Sequence, residues 1–283
     1  MCLIAWNWQP ASATPLLLLA NRDEFYARPA ERLHWWAGGN ILAGKDLQAG
    51  GTWMGLTRTG RLAALTNYRN FAGATIPQAL NASAPSRGEL VTEFLNSQLP
   101  AHEFLQQLSR RAGHYSAFNL LVFDGNHLLG LQSRDAKVVA MQPGFGAVSN
   151  ADFHSPWPKL TWLRNQLETH VGRSETGSDG SGDAHPEALL SILENESIAP
   201  DDALPQTGLP LARERALSAA FIRSPDYGTR ACSVIQITRR QARFTERSFD
   251  AAGLVSTQNH AFALHPPSLQ QISAAAGAVP VPP

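Results

Sequence analysis

Short apolar runs arrive in pairs along this chain, each pair joined by a few turn-forming residues. No other feature limits the fold as much. Residues 2–8 and 15–21 flank the turn-like Gln9-Pro10-Ala11-Ser12-Ala13-Thr14, and Thr52–Thr57 and Arg61–Asn67 flank Arg58-Thr59-Gly60. Further runs at Phe118–Phe123 and His127–Gln132 surround Asp124-Gly125-Asn126, followed by Val138–Met141 and Gly146–Ser149. Ala231–Thr238 and Arg243–Phe249 make a last hairpin. Period-two apolar runs bounded by Gly, Asn and Asp read as β-hairpins. Helical signals lie between them. The spacing Ser86-Arg87-Gly88-Glu89 predicts a capping box ahead of Leu90, Val91, Phe94 and Leu95, and Pro100 separates a second helix through Phe104, Leu105 and Leu108. Helices are also predicted over 157–170, with Leu160, Leu163 and Leu167 on one face, over 186–195 with Asp183 as N-cap and Pro186 in the first turn, and over 210–223. Phe25 to Gly51, with Pro29, Trp35-Trp36 and several glycines, reads as irregular. The stretch 172–184 reads as a mobile loop within a single domain, 1–283, and the Ala/Gly/Pro-rich tail 273–283 as frayed.

The order hairpins, helix pair, hairpins, helices, hairpin predicts an α+β chain: two antiparallel sheets face to face with helices outside, a four-layer α-β-β-α sandwich. It excludes a βαβ dinucleotide fold, because strand–helix alternation and GxGxxG are both missing.

Charge and cysteine usage narrow the chemistry. The chain carries 23 acidic and 23 basic residues at a pI near 7.1, with no basic cluster, so nucleic acid is not an expected partner. Pro15-Leu16-Leu17-Leu18-Leu19-Ala20 is too short to span a bilayer, and the N-terminus lacks the positive region of a secretory signal. The expectation is a cytoplasmic protein without a transmembrane segment. Two cysteines, Cys2 and Cys232, allow no disulfide framework, and the nine histidines show no HExxH, so no structural metal is expected.

Cys2 stands directly behind the initiator methionine at the start of an apolar run. Removal of Met1 leaves a thiol beside a free α-amine, whose pKa near ~7.7–8.0 suits it to act as a base. Such a thiol attacking an amide needs donors for the oxyanion and charge to orient the amine. Polar residues stand where strands end: Asn21-Arg22-Asp23-Glu24, Asn67-Tyr68-Arg69, Ser149-Asn150 and Thr229-Arg230. If the strand continues through the first of these, Asn21 and Asp23 share one face and Arg22 and Glu24 the other.

Cys2, Asn21-Arg22-Asp23-Glu24, Gly50-Gly51-Thr52-Trp53-Met54-Gly55, Leu65-Thr66-Asn67-Tyr68-Arg69, Val148-Ser149-Asn150 and Tyr227-Gly228-Thr229-Arg230 occur in that order. The set resembles the transport-and-Golgi-organisation protein 2, or NRDE, family, and the resemblance runs along nearly the whole chain. That family looks like a branch of the N-terminal-nucleophile hydrolases, which implies the same sandwich. By similarity to the cysteine amidases of that superfamily, Cys2 is the nucleophile and its α-amine the base. Arg22 and Asp23 orient the amine and thiol, Asn67 and Asn150 serve the oxyanion and amine, and Arg230 holds charge near Cys2. Those amidases place their Arg and Asp a little apart, whereas Arg22 and Asp23 are adjacent.

The implied substrate is a small-molecule amide, and no cofactor is needed. The alternative on the same fold is a carrier of haem, acyl-CoA or a similar amphipathic ligand, with His34, His114, His127 and His154 as candidate haem ligands. Strand alternation places Cys232 on the face of Arg230, which raises the expectation that Cys232 lies near Cys2 as a redox-sensitive pair, against an inert buried thiol.

Overall fold

A computed structural model of the chain describes residues 2–69, 84–176 and 186–265. Among the described residues thirteen strands form two antiparallel sheets. One has six strands in the order β10-β1-β2-β11-β12-β13; the other has seven in sequential order, β3 to β9. In the first, β1 (Cys2–Trp8) pairs with β2 (Leu16–Phe25) and with β10 (Gly144–Val148), while β2 also pairs with β11 (Tyr227–Ile237), which continues to β12 (Gln241–Asp250) and β13 (Gly253–Ala263). In the second, β3 (Ala30–Trp35), β4 (Ile41–Asp46), β5 (Met54–Thr57) and β6 (Leu62–Asn67) lead to β7 (Phe118–Phe123), β8 (Leu128–Gln132) and β9 (Lys137–Ala140).

Side-chain alternation builds the layers. Ile4, Trp6, Leu16, Leu18 and Ala20 face Leu42, Leu56, Leu62 and Ala64 across the gap between the sheets. Leu3, Ala5, Leu17 and Leu19 face outward onto α3 (Pro158–Thr176) and α4 (Pro186–Leu193). On the other side, Ala63, Leu65, Leu120 and Val122 meet α1 (Gly88–Asn96) and α2 (Ala101–Ser109). The result is the expected α-β-β-α sandwich. Strands with both faces buried read as continuous apolar runs, which is why β1 and β7 were plain in the sequence.

Several local expectations need correction. The stretch Phe25 to Gly51 is not irregular: it holds β3 and β4. Their pairing shifts register between Glu31 and His34, and such a bulge scrambles the period-two pattern that would have announced them. β13 also carries no clean alternation, because it is an edge strand with exposed Leu254 and Val255. The helix expected over 210–223 is only α5 (Leu211–Ala216). Beyond it the backbone finds tertiary partners instead. Ser218 Oγ accepts the Ala199 N–H at 2.9 Å, and the Phe221 N–H donates to Asn195 O at 2.8 Å. α3 runs to Thr176, so 172–176 belongs to a helix and not to the expected loop, one Gly at about 1 kcal/mol being tolerated in a packed helix. The rest of that loop, Asp183 and the tail 273–283 lie outside the described residues.

The capping box is not formed either. Ser86 Oγ accepts the Gly88 N–H, two residues on, at 3.3 Å, and Arg87 is the N-cap of α1. Glu89 is engaged elsewhere: its carboxylate accepts the Tyr115 hydroxyl at 2.6 Å. Among the described residues no helix is long and apolar enough to cross a membrane.

Candidate active site

Cys2 opens β1 directly opposite Arg22 on β2. Both residues, with Asp23, Asn67 and Arg230, line a cavity of about 590 Å³ at the ends of the two sheets. The strand does continue through Asn21-Arg22-Asp23-Glu24, because β11 pairs along its far edge: Cys232 lies opposite Asn21 and Thr229 opposite Asp23. Alternation then sorts the motif. Arg22 shares the face of Ala20, toward the cavity. Its guanidinium stands 3.6 Å from Glu24 and 3.8 Å from Asp46, and Arg28 Nε closes the network with Asp46 at 2.6 Å.

Asn21 and Asp23 take the other face. Asn21 Nδ2 donates to Leu193 O and Ala220 O, both at 2.8 Å, locking the end of α4 to β2. Asp23 Oδ1 accepts the Thr229 hydroxyl at 2.8 Å, and that hydroxyl oxygen accepts the Ile222 N–H. Asp23 is almost wholly buried and still forms part of the cavity wall.

Arg230 reaches the cavity through a β-bulge. The register of β11 against β2 shifts between Thr229 and Ala231, so Arg230 is the extra residue and Ala231, opposite Arg22, takes the cavity side. Arg230 is held by main-chain carbonyls: Nη1 donates to Phe25, Tyr26 and Arg28, and Nε to Phe249. The bulge also corrects the expectation for Cys232. Counting from Arg230 by strict alternation put Cys232 beside Cys2. The inserted residue shifts the phase, so Cys232 points outward with Leu19 and Val234 into the core under α3 and α4. The two thiols sit on opposite faces of one sheet.

Asn67 and Asn150 are joined, but only Asn67 lines the cavity. Asn150 is fully buried; its Nδ2 donates to Asn67 O at 2.8 Å and its main-chain O accepts the Arg69 N–H at 2.6 Å. Ser149 Oγ donates to Cys2 O at 3.0 Å, and Thr66 Oγ1 donates to Ser149 O. These bonds tie the end of β6 to the end of β10 and to the first described residue of β1.

Burial governs the electrostatics. Cys2 is 6% exposed, and burial pushes its thiol up to about 11, Asp23 and Glu24 adding to the rise while Arg22 opposes it. Burial also raises the Cys232 thiol well above its ordinary value.

Three charged residues of this region went unnoticed in the sequence. Arg87 lines the cavity near Cys2, but its neighbours Ser86 and Glu89 pointed to a helix cap. Lys159, 4% exposed on the first turn of α3, senses the charges of Asp23, Arg69, Cys2 and Glu214, and burial lowers its ammonium to about 8. Glu246 accepts bonds from Leu33 N–H on the opposite sheet and from Ser233 and Ser248, while burial raises its carboxyl. None had a spacing signal. Among the described residues no histidine lines the cavity, and His154, for example, packs edge-on to Trp6.

The model of the family described as Transport and Golgi organisation 2 matches residues 1–251. The chain belongs to that family. It is 36% identical over 266 residues to the Transport and Golgi organization protein 2 homolog of Bos taurus, covering 88% of this chain and 93% of that one. The Homo sapiens homolog is 35% identical over 268 residues with the same coverage. Among solved structures, the chain is similar to a Caenorhabditis elegans ortholog of N-acylethanolamine-hydrolyzing acid amidase at 12% identity and a TM-score of 0.46, covering 83% of this chain and 92% of that one. It is also similar to a mutant conjugated bile acid hydrolase from Clostridium perfringens at 10% identity and a TM-score of 0.42, covering 93% and 92%. For this Transport and Golgi organisation 2 member, the sandwich itself rests on the strand order and the packing described above.

Proposed function

We propose that the chain is an N-terminal-nucleophile cysteine hydrolase acting on a non-peptide amide. The observation that carries this reading is the position of Cys2: it starts a central strand, lines a cavity of about 590 Å³, and stands opposite Arg22 with Asp23, Asn67 and Arg230 in the same wall.

Removal of Met1 frees the α-amine of Cys2. That amine takes the thiol proton as sulfur attacks the amide carbonyl carbon, forming the S–C bond and an oxyanion. Asn67 serves the oxyanion, and Asn150 acts through Asn67 as a positioning residue. The oxyanion collapses, the C–N bond breaks and the protonated α-amine returns its proton to the leaving nitrogen. Water then cleaves the thioester, releasing an acid and restoring the thiol. Asp23, fixed by Thr229, orients the amine, while Arg22 supplies positive charge beside a thiol that burial otherwise keeps protonated and Arg230 adds positive charge to the same cavity.

The test is intact mass of protein purified from cells, followed by turnover of a panel of N-acyl amides. Loss of Met1 and turnover abolished by Cys2→Ala support the reading. Retained Met1 with no turnover overturns it and leaves the carrier of haem or acyl-CoA as the reading to pursue.

A further inference from the structure

The cavity holds charges of both signs, and most of them are already answered. Glu24 and Asp46 meet Arg22 and Arg28, and Glu31 lies 3.3 Å from His34 Nε2. Arg230 donates to four carbonyls. Arg87 differs. Its Nη1 donates to Ala117 O at 3.1 Å, which pins the side chain to the start of β7. Among the described residues Nε and Nη2 make no hydrogen bond, and no carboxylate lies within ion-pair distance. Burial lowers its pKa, with Arg28 adding to the fall and Cys2 and Glu24 opposing it. An arginine nonetheless remains charged, and its planar fork suits carboxylate, sulfonate or phosphate oxygens.

The fold brings this guanidinium into the cavity that contains the thiol. Gly51, from the Gly50-Gly51-Thr52 motif, packs backbone to backbone on Gly88: a Cβ added to Gly51 would stand 2.6 Å from Gly88 C and 2.7 Å from Gly88 O. Two touching glycines thus let the start of α1 sink against the loop between β4 and β5, bringing Arg87 into the wall it shares with Cys2.

We propose that Arg87 is a specificity residue that holds an anionic oxygen group of the ligand beside the Cys2 sulfur. The substrate of the hydrolase is then an acidic amide, one carrying a carboxylate, sulfonate or phosphate close to the bond attacked. This deepens the proposed function and rests on Cys2 being the reacting group.

Two alkylating reagents of nearly equal size separate the claims. Iodoacetate is anionic and iodoacetamide neutral; with either, the S–C bond forms at Cys2, the C–I bond breaks and iodide leaves. The expected result is that Cys2 prefers iodoacetate, and that Arg87→Gln lowers the iodoacetate-to-iodoacetamide rate ratio by about tenfold or more, the size of a lost hydrogen bond to a charged group. Any change in thiol acidity acts on both rates and cancels in the ratio. Arg87→Lys, which keeps the charge, retains part of the preference. An unchanged ratio in Arg87→Gln overturns the proposal, as does an equal loss in Arg32→Gln, at a second arginine that lines the cavity, which would assign the effect to the summed charge of the cavity. Should neither reagent reach Cys2, the nucleophile reading fails. Sulfate then tests Arg87 by itself: it raises the melting temperature of the wild-type chain more than that of Arg87→Gln if the assignment is right, and an equal rise in the two overturns it, because exclusion of sulfate from the surface acts on both alike.

Discussion

Arg69 Nη2 stands 3.1 Å from Glu214 Oε2, with the two side chains only 3% and 5% exposed. The pair joins the end of β6 to α5, behind the wall that contains Asp23. The guanidinium also lies 4.7 Å from the Trp157 ring centroid, and Glu214 Oε1 accepts the Thr207 N–H at 3.0 Å. Removing one partner from a buried pair strands the other charge. Arg69→Met is therefore expected to cost about 3–5 kcal/mol in urea unfolding, with most of the loss recovered in the Arg69→Met/Glu214→Met double variant. Strict additivity of the single effects would show that the pair is not coupled.

Lys159 gives a pH-dependent counterpart. Burial lowers its pKa to about 8, against about 10.4 in an unfolded chain, so the unfolded state binds the extra proton between those values. The folding penalty is therefore full below about pH 8, falls as pH rises and is gone above about pH 10.4. Its upper bound is about 3 kcal/mol. Lys159→Met is expected to be the more stable protein near pH 7, and the gap should close on the alkaline side. A gap that stays constant across that range would place Lys159 in water.

Gly51→Ala has no open space to use. Its Cβ meets the Gly88 backbone, so α1 must move, at an expected cost of about 1–3 kcal/mol. The same shift displaces Arg87, so the alkylation preference of Cys2 should fall with stability. Gly113→Ala is the control: nothing lies within 4 Å of its added Cβ, and thermal unfolding should be nearly unchanged.

Cys232 should behave as an inert thiol. It is fully buried among apolar side chains on the face of the sheet away from the cavity. Thiol titration of the native chain is expected to find Cys2 alone, with Cys232 reacting only on unfolding. Mild oxidation should leave both thiols free; a disulfide between them would require the sheet to come apart.

The region around Cys2 shows how far spacing carries. The alternation that puts Ile4 and Trp6 between the sheets and Leu3 and Ala5 under the helices is legible in β1, and it extends to the division of Asn21 and Asp23 from Arg22 and Glu24. Cys2, Arg22, Asp23, Asn67 and Arg230 stand at strand ends and were singled out by the family resemblance, and all five reach one cavity. Asn150 was named with them and stands behind Asn67. The same alternation misplaced Cys232, because a bulge at Arg230 is a property of the pairing between β11 and β2 and leaves no mark in either strand alone.

What the sequence by itself determined was therefore the local part: which segments are strands, which face of each is apolar, and which polar residues stand at their ends. These follow from periodicity, which depends on near neighbours along the chain. Only the tertiary structure decided that Gly51 and Gly88 touch, that Arg87 thereby joins Cys2, and that Lys159 is sealed behind Asp23. Such meetings join segments far apart in sequence, and sheet register with close packing selects them.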